Sequence, residues 1–262
     1  MNRKTAVITG ASGGIGMELA LLFAAQGYDL ILVARRVERL EKLAEDLGKM
    51  YATMANVIAM DLAQPFAGEA LWKAISAITP DIDVLVNDAG VSDTGDFAAE
   101  VPEVIERMIH LDISTLTMLT RCALPGMIER KRGRILNVAS LAGFQPGGPR
   151  MAVYYASKSY VLSFSRSIRR ELRGTGVSVT ALCPGATRTG FEETAHAQDT
   201  WMFRWRKPME AREVARAGYE GMQRGKSVVV PGLLNKLMAY SPGLGPPAIA
   251  LEINRLLLSK RD

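Results

Sequence analysis

Over nearly its whole length the chain alternates short, continuously apolar runs with longer segments whose apolar residues recur every three or four positions. The short runs are TAVITG (5–10), LILVA (30–34), NVIAMDL (56–62), VLVND (84–88), GRILNVAS (133–140), VSVTALCPG (177–185) and SVVVPG (227–232). They are rich in β-branched residues and lack polar alternation, the pattern of strands covered on both faces in a parallel sheet. Helical spacing runs through 14–27, 36–50, a segment near 67–78, 101–130 and 154–176. Parallel neighbours joined by helices require right-handed crossovers. The expectation is therefore α/β: a single domain over 1–262, a doubly wound parallel sheet of about seven strands with helices on both faces. No linker, repeat or low-complexity tract divides it. The stretch 186–226 breaks the rhythm at the carboxyl edge of the sheet, where a substrate cover would lie, and 233–262 is a C-terminal tail.

Two cysteines, Cys122 and Cys183, have no metal-ligand spacing, so no metal is expected and both read as reduced thiols of a cytoplasmic protein. The N-terminus enters the first strand within four residues, without room for a signal peptide, and no apolar run approaches the ~20 residues of a membrane span. The segment 248–260 has Leu and Ile at helical spacing; packing on the body or a neighbouring subunit is preferred over a membrane surface. A net charge of +5 suits an anionic ligand, but the short clusters ERKRGR (129–134) and RWRK (204–207) read equally well as solvated surface, and no nucleic-acid module accompanies them.

Gly10, Gly13, Gly14 and Gly16 fall between the first strand and its helix. Glycine there lets the backbone turn sharply and lets a pyrophosphate approach amides at a helix N-terminus, making this a Rossmann-type nucleotide turn. The second strand ends in Val33 and Ala34 followed by Arg35 and Arg36, without the acidic residue that would bind a ribose 2′-hydroxyl. Guanidinium groups can grip a 2′-phosphate, so NADP is preferred over NAD; the alternative is that the arginines only begin an exposed helix. In YYASK (154–158), Tyr154 and Lys158 are four apart and share a helix face. A phenol ionises near pH ~10, and a nearby cation favours the phenolate.

With NDAG (87–90), NVAS (137–140) and CPG (183–185) in order, these motifs resemble the short-chain dehydrogenase/reductase family over about residues 3–232, most closely its general bacterial oxidoreductase branch. The resemblance implies hydride transfer between a nicotinamide and a carbonyl or secondary alcohol. Tyr154 would be the acid–base group, Lys158 would depress its pKa and bind the nicotinamide ribose, and Ser140 would hold the substrate oxygen. Gly10, Ser12, Gly14, Ile15 and Gly16 would form the phosphate turn, with Arg35 and Arg36 at the 2′-phosphate. Asp61 and Leu62 would meet the adenine, and Asn87, Ala89 and Gly90 would line the other side of the cofactor. Pro184, Gly185, Thr187 and Thr189 would face the nicotinamide amide. A homodimer or homotetramer through the helices 101–130 and 154–174 is implied in the same way.

Aspartate stands at two positions where the family usually has asparagine: Asp88, and Asp112 in HLDIST. The family asparagine acts largely through its backbone carbonyl, which Asp112 retains, while an ionised Asp112 would favour the charged form of Lys158. The expectation is an active enzyme with an altered pH profile, with Asp112 part of the catalytic set. Leu141, Phe144, Gln145, Met151, Val153, Phe191, Trp201, Met202, Phe203 and Trp205 are the expected substrate lining, favouring a lipophilic small molecule; Arg188, Arg204 and Arg206 would suit an acidic tail instead. The rival reading is a nucleotide-holding sensor that has lost catalysis; retention of Ser140, Tyr154 and Lys158 favours the enzyme.

Overall fold

The computed structural model describes residues 3–190, 208–241 and 245–258. Its strands are β1 (Thr5–Thr9), β2 (Asp29–Ala34), β3 (Ala55–Ala59), β4 (Val84–Asn87), β5 (Gly133–Val138), β6 (Val177–Leu182), β7 (Thr187–Arg188), β8 (Met209–Glu210) and β9 (Val228–Val229). All seven expected strands join one sheet in the order β3-β2-β1-β4-β5-β6-β9, and every pairing is parallel. The short β7 and β8 pair separately.

The main helices are α1 (Gly14–Ala25), α2 (Val37–Tyr51), α3 (Ala67–Ile78), α4 (Pro102–Ile109), α5 (Leu116–Glu129), α6 (Ala152–Glu171), α7 (Ala211–Gln223), α8 (Leu233–Tyr240) and α9 (Pro247–Leu257). The absence of polar alternation in the strands has its cause in two separate cores. Ala6, Ile8, Leu30, Leu32, Val84 and Val86 pack with Leu19 and Phe23 of α1, Leu40 and Leu47 of α2, and Val214 and Met222 of α7. The intervening residues Val7, Ile31, Val33 and Leu85 pack on the other face with Leu71 and Ile75 of α3 and Leu119 and Met127 of α5. Successive side chains of a strand point to opposite faces, so covering both faces makes most positions apolar, with Thr9, Asn87, Asn137 and Thr180 as buried polar exceptions.

Chain direction across the sheet reverses between β1, which leads to β2 and β3, and β4, which leads to β5 and β6. The crevice at the carboxyl ends of β1 and β4 is where doubly wound sheets bind ligands.

Two expectations change. The segment 101–130 is not one continuous helix: α4 and α5 are joined by a π-helical turn over His110–Thr115. Within it Asp112 accepts the Val91 N–H at 3.0 Å, and Thr115 donates to the Leu62 carbonyl at 2.8 Å. These inward bonds accompany the wider turn, a local feature that apolar spacing does not encode. The stretch 186–226 also divides. Residues 191–207 lie outside the described residues, while α7 packs beneath the sheet on α1, with Tyr219 edge-on to Phe23 at 5.1 Å, and belongs to the core rather than to a cover.

Candidate active site

Gly10 (φ +75°) and Gly14 (φ +55°) take left-handed backbone conformations at the end of β1. A Cβ on Gly16 would lie 2.6 Å from the Gly10 carbonyl oxygen and 2.7 Å from Asp88 Oδ2, so the turn closes only with glycine there. The folded turn opens onto a cavity of about 580 Å³. One end is lined by Gly10, Ser12, Gly14 and Ile15 with Arg35, Arg36 and Arg39, and continues past Asp61, Leu62, Ala89 and Gly90. The other end holds Ser140, Tyr154, Lys158, Pro184, Gly185 and Thr187, while Thr189 stands against Gly14 of the turn, 3.0 Å from where a Gly14 Cβ would lie.

Arg36 donates through Nη2 to Ser12 Oγ at 3.0 Å, which ties the start of α2 to the glycine turn. Asp61 accepts from both terminal nitrogens of Arg107, at 3.1 and 3.4 Å, and from Gln64. Burial alone would raise the Asp61 pKa, but the bonds from Gln64, the Ala63 amide and Arg107 outweigh it and hold the carboxyl below its usual value. A glycine-rich cradle beside three arginines fits an anionic dinucleotide with a further phosphate on its ribose.

At the other end, α6 presents Tyr154 and Lys158 one turn apart, with the Lys158 ammonium 5.6 Å from the Tyr154 ring centroid. Ser140 leaves β5 and hydrogen-bonds the Tyr154 side chain, while its Oγ also accepts the Ala142 N–H at 3.1 Å. Lys158 is buried, 3.5 Å from Asp112 Oδ2 and 3.5 Å from the Val138 carbonyl it donates to. Asp112, only 1% exposed, also accepts from Ser157 at 3.3 Å.

Charge and burial compete throughout this cluster. Burial pushes the Tyr154 phenol up; Lys158 and the Ser140 bond pull it down, Asp112 pushes it up again, and the net direction is upward. Lys158 thus acts on Tyr154 in the expected sense, but desolvation exceeds it. Burial pulls Lys158 down, and Asp112, Tyr154 and Asp88 more than compensate, so its ammonium is held more tightly than usual. Asp112 is raised by burial against the opposing pull of Lys158. Asp88, beside the glycine turn, is pushed up to about 7 by burial, with Lys158 and the Gly16 N–H opposing.

Some expected residues stand elsewhere. Asn87 is buried in β4, donating to Asn137 Oδ1 at 2.9 Å and to Thr120 Oγ1 at 3.3 Å, so it braces the wall rather than lining it. Gly16 likewise stands behind the lining. Leu141, Gln145 and Met151 line the substrate end, but Val153 does not; Phe144 packs on Tyr240 at 5.6 Å. Arg188 pairs with Glu210 at 3.3 Å. Phe191, Trp201, Met202, Phe203, Arg204, Trp205 and Arg206 lie outside the described residues.

Sequence reasoning missed Arg39, Arg107, Asn235, Met238, Asn254 and Leu257, all of which line the cavity. Arg39 had a readable signal, one helical turn after Arg35. The other five come from α4, α8 and α9, and no spacing in the sequence links those segments to the glycine turn.

The sequence matches the family model for short chain dehydrogenases over residues 4–200. It is 39% identical over 182 residues to an NADP-dependent 3-hydroxy acid dehydrogenase of Salmonella typhi, covering 68% of this chain and 71% of that protein. A short-chain dehydrogenase from Sphingobium yanoikuyae, solved in complex with NADPH, superposes with a TM-score of 0.81 at 33% identity, covering 92% of this chain and 94% of that one. A bulky-bulky ketone specific alcohol dehydrogenase from Comamonas testosteroni superposes with a TM-score of 0.78 at 30% identity, covering 93% and 94%.

Proposed function

The chain belongs to the short-chain dehydrogenase family and is an oxidoreductase enzyme, and from that premise we propose that it is an NADP-dependent reductase of lipophilic ketones working through Ser140, Tyr154 and Lys158. The observation that carries the proposal is the meeting of a bonded Ser140–Tyr154 pair and a buried Lys158 in the cavity that also holds the glycine turn.

NADPH, when bound, supplies the hydride. Arg35, Arg36 and Arg39 would hold its 2′-phosphate, and the amides of the glycine turn its pyrophosphate. The NADPH complex of the Sphingobium protein and the NADP dependence of the Salmonella relative support this preference. Tyr154, its pKa raised, keeps its proton at neutral pH and hands it to the carbonyl oxygen as that oxygen becomes basic. Ser140 donates to the same oxygen and steadies the developing charge. Lys158, held protonated by Asp112, lowers the cost of the phenolate left behind. Leu141, Ala142, Met151, Met238 and Leu257 give the substrate end an apolar lining, which suits a ketone with bulky substituents like that named for the Comamonas enzyme. We read the chain as one domain of a cytoplasmic homodimer or homotetramer; among the described residues no helix is long and apolar enough to cross a membrane.

The test is consumption of NADPH and of NADH against a panel of small and bulky ketones, with Tyr154→Phe as the control. Turnover with NADPH that falls by about 10²-fold or more in Tyr154→Phe is expected. Equal use of NADH, or a fully active Tyr154→Phe, overturns the reading.

A further inference from the structure

We propose that Gln145 and Asn254 are positioning residues: their paired side-chain amides latch the two C-terminal helices onto the loop leading from Ser140 and so set the shape of the substrate end of the cavity. The proposal deepens the ketone-reductase reading and rests on it for the substrate class.

Asn254 is 7% exposed, and among the described residues of α9 it is the buried one; the apolar Ile249, Ile253 and Leu256 of the same helix are exposed. Its amide donates to the Gly147 carbonyl at 2.7 Å and to Gln145 Oε1 at 3.4 Å. Gln145 Nε2 in turn donates to the Met238 carbonyl of α8 at 3.2 Å. Two side chains thus join the loop after Ser140 to two helices whose bonded residues lie 93 and 109 residues further along the chain.

All three segments reach the cavity, through Gln145, Met238, Asn254 and Leu257. Leu258, fully buried just past the end of α9, packs with Ala142, Met151 and Tyr155, against which Tyr154 rests. The position of α9 is therefore felt directly beside the Ser140–Tyr154 pair.

Apolar contact alone would hold a helix here without fixing its register, because it is non-directional. A buried amide must find its partners or lose its hydrogen bonds to water for nothing, so it selects one placement. With the outer faces of α8 and α9 exposed, the amide pair is a directional link between them. Met238 and Leu257 then form an apolar wall whose position decides how large a ketone substituent fits.

Asn254→Leu keeps the number and branching of the side-chain heavy atoms and removes both donated bonds. The expected result is a fall of roughly tenfold in the ratio of kcat/KM for a diaryl ketone to kcat/KM for a small aliphatic ketone, carried by KM for the diaryl ketone. Gln145→Met should reproduce the change, and the double variant should add little to either. Hydrogen exchange of the same variants gives a readout independent of turnover: Asn254→Leu should speed exchange in α8 and in 145–148 as well as in α9, leaving β1 and β4 unchanged. An unchanged substrate ratio, additive effects, or faster exchange confined to α9 overturns the latch. If the wild-type enzyme reduces no ketone at all, the reductase reading fails, and the exchange pattern by itself still decides whether the latch exists.

Discussion

Asp88→Asn should make the fold more stable at alkaline pH and change it little in acid. Asp88 occupies the space against the glycine turn, its Oδ2 3.1 Å from where a Gly10 Cβ would stand, and it accepts the Gly16 N–H. Burial there lifts the carboxyl from its ordinary 3.8 to about 7, against the pull of Lys158 and of that N–H. A carboxyl with a raised folded-state value binds its proton more tightly folded than unfolded, so its contribution is favourable at low pH and is lost as pH rises through the folded value. Between about pH 4 and about pH 7 the wild type therefore gives up stability, at most about 4 kcal/mol in total. Part of Asp88 faces the open cleft, and solvent screening there reduces the loss to about 2 kcal/mol. Asparagine keeps an oxygen for the Gly16 N–H and carries no charge, so the loss disappears. The check is the urea midpoint of both proteins at about pH 5 and about pH 8.5, with the slope held as a control. The gap in favour of Asp88→Asn should be under half its full size at the lower pH and complete at the higher one. A gap equal at both, or a less stable variant in alkali, refutes the argument.

The pH–rate curve for alcohol oxidation should move to lower pH in Asp112→Asn, since Asp112 raises the Tyr154 phenol; superimposable curves and equal rates would remove Asp112 from the proton chemistry. Arg36→Ala should weaken NADPH binding by roughly 10- to 100-fold and NADH binding far less, measured by cofactor fluorescence, because a contact to the 2′-phosphate would be lost for NADPH alone while the bond to Ser12 is lost for both. Gly16→Ala should abolish cofactor binding or folding, since its Cβ would press on the Gly10 carbonyl at 2.6 Å; a stable variant with normal NADPH affinity would show that the turn has slack.

The seven strands were legible because covering both faces of a sheet leaves each strand predominantly apolar, a pattern carried by neighbouring residues. Tyr154 and Lys158 were legible for a similar reason: four residues along a helix fix their proximity before any tertiary packing forms. The glycine turn and the pair of arginines after β2 are equally local.

The sequence by itself determined the parallel architecture, the nucleotide turn and the pairing of phenol with ammonium, because each depends on backbone periodicity or turn geometry within a few residues. The tertiary structure alone decided what depends on distance across the chain. It placed Asp61 against Arg107, turned Asn87 inward to brace β5, and brought α9 to the Ser140 loop through Asn254. It also decided the direction in which the Tyr154 phenol moves, since desolvation depends on everything packed around a group, whereas sequence spacing reveals only the single nearby charge.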